Sequence, residues 1–337
     1  PLTERAPGPR RIEIESLAMT WSGGESRATT YTQLARTFLA LPETLENTDV
    51  RVARVSIQAL PEMLAISWKT AGRGQTLTAE VAGFAVQAAV TQAADEIYEV
   101  RIAATDASGT DALRGALSFT ESGQRVGIDG DVRINLAATE PLFHDLEWLP
   151  ASIETIAATV AGPIAIDLDV DGDGNLAIRF EPTVSEGSSL TWRGEDDQRV
   201  VATLEADTRV DVAFAYPSLL WTLDADESRG TLLLEDGSTV KAALFEVRCR
   251  TGVLCTLRAT ARIGPIAWGD IDVREVDIDE ASGITFAFDA SGWSAGAERM
   301  GVAVNGLRPM PGLLASMSLV VSDLELNDSL SSIAAEF

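Results

Sequence analysis

Alternating apolar residues in short segments bounded by glycine are the feature that most constrains the fold of this chain. Clear examples are segments 77–84, 127–136, 162–170 and 283–289. Because successive side chains of a β-strand point to opposite faces, each segment has one apolar face and one more polar face. The sequence therefore predicts a mainly β protein.

Short polar turns separate the alternating segments. Turns that contain glycine are predicted at residues 71–74, 106–109 and 121–123. Strands joined locally by such turns pair as antiparallel neighbours. With a first strand at residues 12–21 and a final strand at 316–326, they predict an elongated antiparallel β-meander with a few short helices.

Two segments change from the strand period to the helix period. Leu34, Phe38 and Leu41 lie three or four positions apart, so residues 31–42 predict a short amphipathic helix. Residues 141–156 predict a mixed helical segment. The predicted parts of the chain are a first meander at 1–140, a helical connector at 141–161 and a second meander at 162–337, separate from the first or continuous with it.

Charge narrows the classes of partner. The chain has 51 acidic and 26 basic residues, a formal net charge of -25. This charge disfavours a phosphate backbone or an anionic bilayer surface, so nucleic-acid binding is set aside. The sequence contains no run of 18 or more apolar residues, so it predicts no membrane-spanning helix. Because the sequence opens on Pro1, we expect it to be an excised or processed piece of a longer protein. The sequence leaves open whether a signal or an anchor lies upstream.

Cys249 and Cys255 are the two cysteines, and their spacing places them across a tight hairpin with a Thr-Gly turn. A small disulfide in an oxidising compartment fits this pattern. The alternatives are two buried thiols, or a zinc or redox pair. Zinc requires four ligands, whereas the chain offers two thiols and one distant histidine, so a disulfide is the favoured prediction.

One acidic segment has the spacing of a calcium loop. Asp169, Asp171 and Asp173 fit the first ligand positions of an EF-hand, but position 12 is Phe180 and the glutamate follows one residue late, at Glu181. The flanking segments are predicted strands rather than helices. We therefore interpret the segment as a solvated Asp-Gly turn, and no metal site is predicted.

No motif supports an enzyme. His144 is the single histidine and precedes Asp145, but sequence neighbours do not usually face each other, and no Gly-x-Ser-x-Gly elbow is present. The acidic clusters at 195–197 and 224–227 lie in polar, turn-like stretches. The sequence also lacks a glycine-rich phosphate cradle and a Rossmann fingerprint, so neither catalytic residues nor a cofactor are predicted.

The order of several segments carries a family resemblance. These segments are residues 11–19, a helix ending at Leu41 and Pro42, residues 48–57 and the strand with Trp68. In this order the chain resembles the AsmA, TamB and YdbH group of large bacterial envelope proteins, and within it the YdbH-like members. The group is implicated in moving phospholipid between the inner and outer membranes, and thereby in outer-membrane biogenesis.

The resemblance implies a twisted, half-open β-groove in the periplasm whose apolar interior shields acyl chains, with no catalytic residues. It also implies a tether to the inner membrane through a segment outside this chain. Aromatic residues of the strands would line such a groove. The candidate lining residues are Trp68, Phe84, Trp192, Trp221, Trp268, Phe286, Phe288 and Trp293.

Alternation alone leaves the function open. A lipid conduit and a closed sandwich both need one continuous apolar face on each strand. The favoured function is non-enzymatic phospholipid transport. The alternative is an envelope scaffold or adhesin-like β-protein that binds a protein partner through a terminal strand edge, and a carbohydrate-active or calcium-dependent enzyme is the third class.

Overall fold

The computed structural model describes most of the chain. The described residues are 10–19, 47–57, 62–94, 96–122, 125–145, 152–169, 175–193, 198–216, 218–235, 237–251, 254–268, 271–289, 292–308, 315–327 and 334–336. Within them the fold is nearly all β, with a single helix. The predicted mainly β fold, built as an antiparallel meander, is therefore confirmed.

The chain divides into two compact units. The first comprises Pro1–Asp145, Ala161–Phe180 and Ala215–Ser218, and the second comprises Leu146–Val160, Glu181–Phe214 and Leu219–Phe337. The first unit contains the strands up to β8, the helix α1, most of β10 and all of β11. These elements are β1 (Arg10–Met19), β2 (Thr48–Ile57), β3 (Met63–Ala71), β4 (Gly74–Val81), β5 (Phe84–Ala94), β6 (Ile97–Thr105), β7 (Asp111–Ser122), β8 (Arg125–Asn135), α1 (Leu136–Asp145), β10 (Thr159–Asp169) and β11 (Leu176–Phe180).

The second unit holds the remaining strands. They are β9 (Ile153–Ala157), β12 (Thr183–Val184), β13 (Ser189–Arg193), β14 (Arg199–Leu204), β15 (Thr208–Tyr216, whose last two residues fall in the first unit), β16 (Leu220–Ala225), β17 (Ser228–Leu234), β18 (Thr239–Arg250), β19 (Leu254–Gly264), β20 (Ile266–Trp268), β21 (Ile271–Val273), β22 (Glu275–Asp289), β23 (Gly292–Leu307), β24 (Ala315–Asn327) and β25 (Ala334–Glu336).

Strands of the first unit pair in chain order. From β2 to β8 each strand is antiparallel to the next. β8 then pairs with β10, which is antiparallel to β11. One pairing departs from the antiparallel prediction, since β1 runs parallel to β2. Parallel neighbours need a connection of about a dozen residues or more, and residues 20–47 are long enough to provide one.

Strands of the second unit form a ladder that departs from chain order. β13 lies between β9 and β14, and β14 pairs with β17 instead of β15. From β17 the ladder continues through β18, β19, β22, β23, β24 and β25. β16 and β17 share one edge of β18, since β17 pairs along Thr239–Leu244 and β16 along Val247–Arg250. β20 and β21 pair as a separate hairpin.

The first unit contains two clusters of buried apolar side chains. One lies on β2 to β4 around Trp68, and the other lies where α1 packs on β5 to β7. In the second cluster Ala138 and Leu142 of α1 pack against Phe84, Ala104 and Ala112. Helix α1 therefore covers one end of the apolar side of this sheet.

The sequence predicted the turns and strands well. Two of the three predicted glycine turns are confirmed, at 71–74 between β3 and β4 and at 106–109 between β6 and β7, whereas Glu121 and Ser122 of the third belong to strand β7 and Gly123 lies outside the described residues. The predicted strands at 12–21 and 316–326 match β1 and β24, although residues 20–21 lie outside the described residues, and β24 is not the final strand because β25 follows it. The predicted helix at 31–42 also lies outside them. Within the predicted connector at 141–161, the structure places the end of α1, all of β9 and the start of β10, and the division into two meanders stays a prediction.

Candidate functional site

Register in the second unit aligns apolar residues across eight neighbouring strands. Directly paired residues of antiparallel strands lie on the same face of the sheet. One row, from β13 to β24, consists of Leu190, Ala202, Leu232, Val240, Ile263, Val276, Val304 and Met317. A second row, from β14 to β24, consists of Leu204, Gly230, Ala242, Ala261, Ile278, Val302 and Leu319.

A third row follows on β18 to β24. It consists of Leu244, Ala259, Ala281, Met300 and Val321. We call these three rows the second apolar face. Every position in them is apolar, which is the arrangement that period-2 alternation produces when strands keep their register over a wide sheet.

Most of the second apolar face is only half-buried. Of its side chains, Ala281 and Val321 are buried, Met317 is 48% exposed, and the others are intermediate. In a closed sandwich the inward-facing side chains would be almost fully buried between the sheets. A wide, half-exposed apolar surface of this kind is typical of a binding site.

The opposite side of the same strands carries ion pairs, and the exposed side chains of Leu233 and Val320 also lie there. Arg262 Nε donates to Asp277 Oδ1 at 2.7 Å and lies 3.5 Å from Glu275 Oε2. The hydrogen bond from Arg262, with its charge, holds the pKa of the Asp277 carboxyl below its ordinary value. Arg258 pairs with Glu246 at 3.2 Å. These charges mark the side of the sheet that faces water.

The first unit has a comparable apolar face on β4 to β8, which we call the first apolar face. Its central row is Leu77, Ala88, Ile102, Gly115 and Val132. This row is half-buried. The first apolar face is fully buried at Phe84 and Ala104, which lie beside α1, and it is also fully buried toward β2 and β3. The first face is therefore covered near its ends more than along its middle.

The structure separates the predicted lining residues into three groups. Trp68 and Phe84 are 7% and 8% exposed and belong to the buried clusters of the first unit. Trp68 Nε1 also donates to Gln75 Oε1 at 2.8 Å. Both side chains therefore pack in a core, which is one of the two roles that sequence allows for a strand tryptophan.

Trp192 and Trp221 form the second group. Both are half-buried, and their positions continue the second apolar face. Trp192 pairs with Val200 on β14, and Trp221 lies two residues before Leu223, which pairs with Cys249. Of the predicted lining residues whose side chains are described, these two tryptophans lie beside the half-buried second apolar face.

The third group is known by backbone position alone. Phe286 pairs with Cys255, and Phe288 pairs with Trp293, so their strand positions continue the rows of the second apolar face. Trp268 lies on β20, in the separate hairpin. The side chains of Trp268, Phe286, Phe288 and Trp293 lie outside the described part of the structure.

The predicted cysteine pair is confirmed. Cys249 and Cys255 face each other across β18 and β19, with their sulfurs 2.07 Å apart. The pair lies in register with Leu223 on one side and Phe286 on the other. The disulfide therefore links two strands of the second apolar face.

Sequence reasoning also considered a metal loop and a histidine. Asp171 and Asp173 lie outside the described residues, as does the side chain of Asp169, while β10 and β11 flank the segment as the predicted strands. His144 lies near the end of α1, and its side chain is likewise not described. Over the described part of the chain, no three His, Cys, Asp or Glu side chains are grouped to hold a metal ion.

Sequence reasoning missed two features of this surface. It did not identify the half-buried rows of Val, Leu and Ala residues, because alternation gives the faces of a strand but not which strands become neighbours. It also missed Leu219 and Leu220, which are 58% and 56% exposed. Two adjacent leucines directly after Pro217 and Ser218, where turns usually carry polar residues, were the available signal.

Comparison with known proteins adds no relative. The chain matches no protein-family model, and neither the curated proteins nor the solved structures include a match. Among the described residues, no helix combines the length and the apolar character needed to cross a membrane. The resemblance to the AsmA, TamB and YdbH group therefore stays a prediction.

Proposed function

We propose that this protein binds phospholipid acyl chains along its apolar sheet faces and carries phospholipid between membranes through the periplasm, without enzymatic chemistry. The observation that supports the proposal most is the second apolar face. Its rows cross up to eight strands and are half-buried for most of their length. Acyl chains bind such a surface through the hydrophobic effect, at about 0.8 kcal/mol for each CH₂ group that leaves water.

The dimensions of the face suit an acyl chain. On β19 the apolar positions run from Cys255 to Ile263, eight residues apart, which corresponds to about 27 Å at the rise of a β-strand. The hydrocarbon core of a bilayer is about 30 Å thick and holds two leaflets, so one acyl chain needs about half that length. A complete acyl chain therefore fits along a single strand.

The cysteine pair supports the proposed compartment. Disulfides persist in oxidising environments such as the periplasm and are rare in the cytosol. The polar side of the strands, with Arg262, Asp277 and Glu246, supplies the water-facing surface that a periplasmic conduit needs.

Mass spectrometry of lipid extracted from the purified protein tests the proposal. We expect phospholipid in the wild-type protein, and much less in an Ile263→Asp variant that places a charge on the second apolar face. Thr260→Asp is the matched control, because it adds the same charge on the opposite side of β19, and it should retain lipid. Wild-type protein with no more lipid than an unrelated protein purified in parallel would refute the proposal.

One observation favours the alternative function, an envelope scaffold that binds a protein by strand-edge pairing. Within the described residues β1 pairs only with β2, and all its side chains from Arg11 to Ala18 are exposed, including Ile12 and Ile14. A long edge strand with exposed apolar residues is a template for pairing. A photo-crosslinker at Glu15 should then capture one defined envelope protein in cells, and the absence of any adduct would eliminate this alternative.

A further inference from the structure

The two most exposed large apolar side chains among the described residues are neighbours. Leu219 is 58% exposed and Leu220 is 56% exposed, at the turn that leads into β16. Trp221 follows directly and is half-buried. Scattered single hydrophobic residues are normal on protein surfaces, but two adjacent exposed leucines at a turn, directly before a tryptophan, form an apolar projection. We call Leu219, Leu220 and Trp221 the apolar tip.

The backbone holds the apolar tip in place. Leu219 has a φ of 54°, in the left-handed region that a leucine seldom adopts. Trp221 N donates to Thr251 Oγ1 at 2.8 Å, and Thr251 N donates to Trp221 O at 3.0 Å. These two bonds fix the tip to the end of β18. An unusual backbone conformation that is held by its surroundings is a frequent sign of a functional surface.

The size of the tip argues against a protein partner. A stable protein interface buries about 800 Å² on each side and involves about 20–30 residues. The tip offers three side chains. A lipid bilayer accepts so small an apolar projection, because single Leu and Trp side chains gain free energy when they enter its surface, and Trp is enriched at that boundary.

Charge limits which bilayer is suitable. The net charge of -25 repels an anionic surface, so the matching surface is electrically neutral overall. Arg250, which is exposed, precedes Thr251 and pairs with Thr222 next to the tip. A guanidinium at this position is suited to the phosphate of a zwitterionic headgroup.

We infer that the apolar tip is a membrane contact, which inserts Leu219 and Leu220 into the surface of a zwitterionic bilayer with Trp221 at the boundary. This inference goes beyond the proposed function, because surface insertion at a turn does not require acyl chains to bind along the sheet. It would give the protein a defined point of approach to a membrane.

Co-flotation with vesicles of phosphatidylcholine tests the inference. We expect the wild-type protein to float with the vesicles. A Leu219→Asn, Leu220→Ser double variant should bind the vesicles at least about tenfold more weakly. Asparagine tolerates the left-handed backbone at position 219, and both side chains are exposed, so this variant should fold normally by circular dichroism.

Leu233→Ser is the matched control, because Leu233 is 46% exposed on β17, away from the tip. It should float like the wild type. Three results would each overturn the inference: no flotation of the wild type, equal flotation of the double variant, or stronger binding to phosphatidylglycerol vesicles. Lipid extraction in the Ile263→Asp experiment is a separate readout, so failure of the tip and failure of the acyl-binding faces are distinguishable.

Discussion

The two units use the same strand alternation but bury it to different degrees. Of the fourteen fully buried apolar residues among the described side chains, eleven lie in the first unit and three in the second. In the first unit Trp68, with the valines of β2, and the contact of α1 with Phe84 produce closed clusters. The rows of the second apolar face stay half-buried. Alternation therefore sets which face is apolar, whereas bulky side chains and a covering helix decide whether that face becomes a core.

The largest expected effect is the difference in stability loss between removing a buried tryptophan, Trp68, and removing a half-buried one, Trp192. Trp68→Ala should lower the free energy of unfolding of the first unit by about 3–5 kcal/mol, because it leaves a cavity and removes the donor to Gln75. Trp192→Ala should cost about half as much, since that side chain is half-buried. Hydrogen exchange, followed by mass spectrometry on peptides of each unit, measures both values. Equal losses for the two substitutions would abolish the contrast between the units.

A smaller effect should be confined to the second unit. Reducing the disulfide between Cys249 and Cys255 opens a short loop, for which chain entropy predicts a loss of about 2 kcal/mol. The first unit has no cysteine. Amides of β18 and β19 should therefore exchange faster after treatment with a phosphine reductant, while amides of β2 to β5 keep their rates. Faster exchange in β2 to β5 would show that the units do not respond separately.

The smallest effect is a pH dependence that both units share. Hydrogen bonds from Ser108 and Thr110 hold the pKa of Asp106 below its ordinary value, and Arg262 does the same for the pKa of Asp277. Because each folded-state pKa lies below the unfolded-state value, the stabilisation is complete above about pH 4 and is lost as the pH falls through the folded-state pKa.

Asparagine substitutions make this dependence measurable. Asp106→Asn and Asp277→Asn should each be less stable than the wild type at pH 7, and this difference should shrink as the pH falls below 4. Both carboxylates are half-buried, but the Arg262 guanidinium that pairs with Asp277 is exposed to solvent and Asp106 is held by hydrogen bonds within its own turn, so the differences should be small. Urea unfolding at several pH values measures them, and a difference that grows in acid would contradict the assignment.

Much of the fold was predictable because turns and alternation act locally. The glycine turns at 71–74 and 106–109 and the hairpin around Cys249 and Cys255 follow from residues within a few positions of one another. The parallel pairing of β1 with β2 and the pairing of β14 with β17 were not predictable, because they join segments separated by long connections. Nothing local in the sequence specifies such partners.

The candidate site was predictable only in part. Trp192 and Trp221 lie beside half-buried apolar surface, but Trp68 and Phe84 lie in cores, although their local sequences alternate in the same way. What distinguishes them is burial by other elements, such as α1 over Phe84. Burial of this kind arises from tertiary packing and leaves no local pattern.

The most direct test of the central claim is photo-crosslinking along β19. A photoreactive amino acid is placed at one position at a time in the protein expressed in bacteria, and phospholipid adducts are measured by mass spectrometry. The apolar-face positions are Leu257, Ala259, Ala261 and Ile263, and the opposite positions are Thr256, Arg258, Thr260 and Arg262. We expect phospholipid adducts at the first set and few at the second. Absence of adducts, or equal adducts at both sets, would contradict the claim that the apolar face binds acyl chains.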